Sequence, residues 1–241
     1  MISEEQRARM AENVAVIRER MAQAAREAGR DPAEILLCAA CKTRTVEEVA
    51  ASAALPIDLF GENHVQELVE KTDAGAYGGK PGHFIGHLQT NKVNKVVGRA
   101  ALIESVDSER LLDKIENAAA HAGLVQEILI EINIGGEASK SGIDPQTLWT
   151  LLDAAAAHPH LRVRGLMAIP PADASPDETR RFFARMRELL TSAEDRHLTD
   201  SRLDILSMGM SGDYPDAIRE GATIVRIGTA IYGARDYGNK V

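Results

Sequence analysis

The sequence predicts an α/β protein built as one closed (β/α)8 barrel, and three observations carry that expectation. Eight short apolar runs recur along the 241 residues. Seven helix-like segments separate them, and no Pro/Gly/Ser-rich linker interrupts the alternation. Strand–helix alternation makes neighbouring strands parallel, and eight units are the number that closes a barrel. A doubly wound open sheet is the alternative, because the last two runs are short. The expected domain is single and covers residues 1–241.

An extra helix precedes the barrel. Over residues 3–28, Met10, Val14, Ile17 and Met21 recur at spacings of three and four, Ser3 is a capping residue, and Gly29 and Pro32 end the segment. Its apolar stripe needs a partner, which the bottom or side of the barrel would supply. Strands are expected at 35–41, 57–61, 82–86, 101–105, 127–133, 162–167, 204–208 and 223–228. Helices are expected at 45–53, 63–73, 90–97, 108–121, 144–157, 177–195 and 213–220. Thr45 and Ser108 sit where N-caps belong, and Pro176 suits a first helical position.

Bulk properties narrow the function. A formal net charge of −8 argues against a nucleic-acid binder, which shows a basic face. No run approaches the roughly 18 apolar residues of a membrane helix. The charged N-terminal segment is no signal peptide, so the expected location is the cytoplasm. Cys38 and Cys41 have CxxC spacing. Both fall inside a strand, where an offset of three sends them to opposite faces, so they read as buried thiols.

In such a barrel the chemistry sits at the C-terminal strand ends. Strand one ends on Lys42, strand two presents Glu62, Asn63 and His64, and strand three presents His87 and Gln89. Glu104, Ser105 and Asp107 follow strand four, Asn133 strand five and Met167 strand six. "SMGMSGD", 207–213, is a small-residue loop that brings Ser207, Gly209 and Ser211 to the start of a helix. "RIGTAIYG", 226–233, follows one strand later with Arg226, Gly228 and Thr229. Two such loops after strands seven and eight are where this fold binds phosphate.

Lys42 admits two readings. Parity puts Cys38, Ala40 and Lys42 on one face, with Leu37, Ala39 and Cys41 on the other. If the first face points inward, small Ala40 leaves room beneath a lysine aimed at the mouth. A partly desolvated amine there can attack a carbonyl. The alternative is an ammonium that snorkels into water from a strand end. An aldehyde bearing a phosphate would bridge the lysine and the phosphate loops, and pyridoxal 5'-phosphate (PLP) is such a molecule.

Seven motifs occur in order: "CKTRT", "FGENHVQE", "HFIGHLQTNK", "SVDS", "INIGGEASKSG", "RGLMAIP" and "LSMGMSGDYPDAIREGATIVRIGTAIYGAR". From about residue 30 onward the chain resembles the pyridoxal 5'-phosphate homeostasis proteins, the alanine racemase N-terminal-domain-like family. The resemblance implies a fold-type III barrel with PLP at the strand ends. It implies Lys42 as the Schiff-base lysine and Ser211, Gly228 and Thr229 as the phosphate cradle. It places Arg226 opposite the pyridine nitrogen, with Asn63 and Met167 around the ring. His87, Ser207, Gly209 and Lys140 are weaker candidates, and Lys140 could take up the aldehyde transiently during delivery.

The family is thought to bind, buffer and perhaps deliver the cofactor, with apo-enzymes as recipients and no established turnover. An arginine at the pyridine nitrogen makes the ring a poorer electron sink than an aspartate would. A racemase also needs a second base, which alanine racemases take from a partner closed by an extra β domain. The sequence runs nine residues past Tyr232, to Val241, so no such domain is expected. Tyr232 itself reads as a packing residue. The expectation is therefore a monomeric PLP carrier, with no metal, nucleic acid or membrane partner; a PLP-dependent racemase or lyase of low activity is the alternative.

Overall fold

Along β1 (Leu36–Ala40) side chains alternate between two buried environments, as a strand covered on both faces requires. Leu37 and Ala39 pack outward with the helices, while Cys38 packs inward with Leu59, Leu102, Leu129, Met167 and Ile224. The remaining strands are β2 (Leu59–Glu62), β3 (Gly82–Phe84), β4 (Leu102–Val106), β5 (Gln126–Ile132), β6 (Leu161–Ala168), β7 (Ile205–Ser207) and β8 (Ile224–Ile227). All pair in parallel in sequence order, and β8 closes on β1 with Cys38 opposite Arg226. The computed structural model describes residues 2–138, 140–196 and 202–233. Ser139 of the fifth motif, Ala234 and Arg235 of the last, and the terminus at Val241 lie outside the described residues.

The barrel closes, so the open-sheet alternative falls. Around it run α1 (Glu4–Glu27), α2 (Val46–Ser52), α3 (Val65–Asp73), α4 (Val93–Val96), α5 (Glu109–Ala122), α6 (Leu148–Ala156), α7 (Pro176–Asp195), α8 (Tyr214–Arg219) and α9 (Thr229–Tyr232). Ser3, Thr45 and Ser175 each cap a helix through a reciprocal capping box, and Ser108 caps α5. Several expected boundaries shrink. Asn63 and His64 stay in the turn before α3, and a 3-10 turn (Thr90–Lys92) precedes α4.

Helix α1 packs on the side of the barrel, against α8, α9 and α2. Met10, Val14, Ile17 and Met21 face inward as expected, joined by Ala24 and Ala25. Its polar ties reach both main chain and side chains: Asn13 donates to the Ile231 carbonyl, Arg18 pairs with Asp58, and Glu27 accepts from Arg219, while Arg30, just past the helix, donates to the carbonyls of Ile218 and Ala222. No helix among the described residues is long and apolar enough to cross a membrane. Both cysteines are buried free thiols on opposite faces of the first strand's path, and burial pushes both thiols up, away from the reactive thiolate.

Candidate functional site

Strand exits converge on a cavity of about 250 Å3 at the C-terminal mouth. Lys42, Asn63, Ser211, Arg226, Gly228 and Thr229 line it, so most of the residues singled out in sequence meet in one place. Parity explains the convergence. Ala40, Asn63 and Arg226 occupy inward positions at the upper ends of β1, β2 and β8, and the loops after β7 and β8 fold over them.

Its charge is one-sided. Lys42, Arg44 and Arg226 contribute three cations, and no carboxylate is present among the described residues that line it. A cleft of one sign within low-dielectric walls concentrates counter-charge, here anions, in a chain whose net charge is negative. The backbone adds donors. Among the described residues, none accepts a hydrogen bond from the amides of Ser211, Gly212, Gly228 or Thr229. Successive outward amides of this kind form an anion-binding concavity. Gly228 is required by space rather than conformation, because a Cβ there would lie 2.9 Å from the Ala40 carbonyl oxygen. Ser211 ties the two loops together by accepting from the Ala230 amide.

Arg226 is held from behind by a buried polar layer. Its Nη1 donates to Ser207 Oγ at 2.5 Å and its Nη2 to the Ala168 carbonyl at 2.9 Å. Ser207 in turn donates to Glu104 Oε2, and Glu104 Oε1 lies 2.7 Å from His83 Nδ1. Burial pushes Glu104 upward, but the His83, Arg226 and Ser207 contacts outweigh it and hold the carboxyl below its usual range. An ionised carboxylate thus anchors the arginine without entering the cavity.

Other candidates lie elsewhere. Met167 belongs to the apolar interior, and Ile169 reaches the cavity in its place. His87 is exposed, near Ser141 and Asp107, in a neighbouring groove with His64, Gln89 and Lys92. Ser207 acts through Arg226. Gly209 (φ 92) lets its loop approach α8, where a Cβ would meet that of Ala217 at 2.5 Å. Lys140 pairs with Glu137 at 2.5 Å and donates to the Pro170 carbonyl, outside the cavity lining. The Tyr232 hydroxyl bonds Ser52 Oγ at 2.9 Å, consistent with a packing role. Sequence reasoning missed Arg44, which lines the cavity while stacking over the Tyr232 ring and donating to the Gly233 carbonyl. The only signal for it was its place two residues after Lys42.

Fold and cavity together define a (β/α)8 barrel with a cation-rich pocket at the strand C-terminal ends. Comparison with known proteins makes this specific. The sequence profile of the alanine racemase N-terminal domain family matches residues 6–236. The pyridoxal phosphate homeostasis protein of Aquifex aeolicus is 40% identical over 226 residues, covering 94% of this chain and 98% of that protein. Its counterpart in Pseudomonas aeruginosa is 43% identical over 230 residues, covering 95% and 97%. PipY of Synechococcus elongatus, solved with PLP bound, is 30% identical at a TM-score of 0.81, covering 93% of this chain and all of that one (100%). The chain belongs to the alanine racemase N-terminal domain family, among its pyridoxal phosphate homeostasis proteins.

Proposed function

We propose that residues 1–241 act as one PLP-binding domain, a cytoplasmic monomer that holds the cofactor and buffers or delivers it to apo-enzymes. The observation that carries the reading is that Lys42, Arg226 and the loops after β7 and β8 line one cavity together. Relatives named as pyridoxal phosphate homeostasis proteins, and a related barrel solved with PLP, support it.

The roles follow from chemistry. The amides of Ser211, Gly212, Gly228 and Thr229, which have no acceptor among the described residues, suit a phosphate together with the hydroxyls of Ser211 and Thr229. Lys42 supplies the amine for a Schiff base with the aldehyde, C=N replacing C=O with loss of one water. In this cavity Arg226 would face the pyridine nitrogen and Asn63 would border the ring. A guanidinium keeps its proton, so Arg226 offers that nitrogen a hydrogen bond without an acidic proton. When bound, the cofactor supplies an electrophilic carbonyl and an electron-withdrawing ring. An unprotonated nitrogen leaves the ring a weak sink, which suits storage better than turnover.

The carrier reading also draws on the cavity lining. Lys42 is the one amine in it, and no histidine, cysteine, tyrosine or carboxylate joins it among the described residues. A racemase needs a second proton-transfer group on the opposite face of the substrate. The test is reductive trapping: PLP, then borohydride, then peptide mass spectrometry. One adduct on Lys42 is expected. Adducts scattered over surface lysines would overturn the assignment, and racemisation of added amino acids at enzymic rates would overturn the carrier reading.

A further inference from the structure

The peptide groups on both sides of Lys42 are gripped by a partly buried ionic network that the site itself does not use. The Cys41 carbonyl, which belongs to the peptide preceding Lys42, accepts from Lys71 Nζ at 2.9 Å. The Thr43 amide, which belongs to the peptide following it, donates to both carboxylate oxygens of Glu67 at 3.0 and 3.1 Å. Lys71 links the two halves: its ammonium also donates to Glu62 Oε1 at 2.8 Å and reaches Glu67 Oε2 at 3.5 Å. All three ammonium hydrogens are thereby committed. The Lys71 side chain is 1% exposed and that of Glu62 0%.

Such a network is a poor way to gain stability, since an apolar replacement of equal volume does as well or better than a buried ion pair. What it does supply is direction. β1 ends at Ala40, two residues before Lys42, and Thr43 turns the chain at φ 66, a conformation that β-branched residues rarely adopt. Holding the peptide planes on either side of one residue fixes its φ and ψ, and hence the direction of its Cα–Cβ bond.

We propose that Lys71, Glu67 and Glu62 are positioning residues for Lys42: they set its backbone so that its amine meets the aldehyde of a phosphate-anchored ligand. This rests on the reading that Lys42 forms the Schiff base with PLP. The three residues lie behind the strand and outside the cavity lining, so they are expected to act on the amine and not on the phosphate.

Glu67→Ala is the informative variant, because Lys71→Met would strand Glu62 in the interior, whereas Glu67 is partly exposed and leaves the Lys71–Glu62 pair intact. Two ligands separate the effects: PLP, and pyridoxine phosphate, which carries an alcohol in place of the aldehyde. In Glu67→Ala, PLP affinity and the rate of borohydride-trappable attachment to Lys42 should fall about tenfold or more, as misplacement of a reacting group predicts. Pyridoxine phosphate affinity should stay unchanged, and Glu67→Gln, which still accepts from Thr43, should recover part of the loss. Unchanged PLP affinity and attachment rate in Glu67→Ala would overturn the proposal. So would an equal loss for both ligands, which marks a general loosening. If the unaltered protein gives no adduct at Lys42, the underlying reading fails, and the proposal with it.

Discussion

Lys42 and Gly228 show how far single residues decide this site. Lys42→Ala should abolish the trappable adduct and weaken PLP binding about a hundredfold, close to 3 kcal/mol, while leaving the phosphate contacts. Equilibrium dialysis against PLP and against pyridoxine phosphate would measure it, the second ligand serving as the unchanged control. Gly228→Ala should act on the other end of the ligand. Its Cβ would sit 2.9 Å from the Ala40 carbonyl oxygen, so the loop after β8 must shift, and affinity for both ligands should fall about tenfold. At this scale much of the site was legible, because strand parity and the rule of C-terminal strand ends are local properties. Depth along the barrel axis is not. Met167 and Ile169 share an inward parity on the path of β6, and only the stacking of layers decides that Ile169 reaches the cavity. Arg44 was missed for a similar reason, since its approach depends on Tyr232 and Gly233 nearly two hundred residues later in the chain.

Element boundaries obey chemistry that is written partly in the sequence. Ser175 and Glu178 bond reciprocally across the first turn of α7, and Thr45 with Glu48 does the same for α2. Ser175→Ala should therefore cost about 1 kcal/mol, read as a lower urea midpoint with an unchanged slope. Ile17 in α1 is fully enclosed against the barrel wall, and Ile17→Ala should cost about 2–5 kcal/mol. A midpoint within experimental error of the unaltered protein would show that α1 is not part of the cooperative unit. These caps and the apolar stripe were readable because both depend on neighbours three or four residues away. The strands were harder to delimit. β3 and β7 keep only three residues each, because a strand's bounds are set by ladder pairing with its neighbours and not by the length of its apolar run. α9 was not foreseen, since four residues carry no periodicity.

The whole molecule gathers ionisable groups inside a barrel that is otherwise apolar, and their environments diverge. Glu104 stays ionised among His83, Ser207 and Arg226. Glu131, inward on β5 and 7% exposed, has its carboxyl pushed up to about 7 by burial and by the nearby charge of Asp107, with Arg226 only partly offsetting them. Such a group makes stability fall as pH rises. Between about 4.5, its ordinary value, and about 7, the folded chain holds a proton that the unfolded chain has released. The favourable contribution is complete below that window and is lost as pH passes through 7. For one carboxyl it amounts to about 3 kcal/mol. Glu62, also pushed up to about 7 by burial despite Lys71, adds a trend of the same sign. Glu131→Gln keeps the shape and removes the titration. The stability difference between variant and unaltered protein, from urea melts at pH 5 and pH 8, should move by about 3 kcal/mol in favour of the variant at the higher pH. Parallel pH profiles for the two proteins would mean that Glu131 is ionised throughout, and that Arg226 serves two carboxylates in the barrel where the geometry assigns it one.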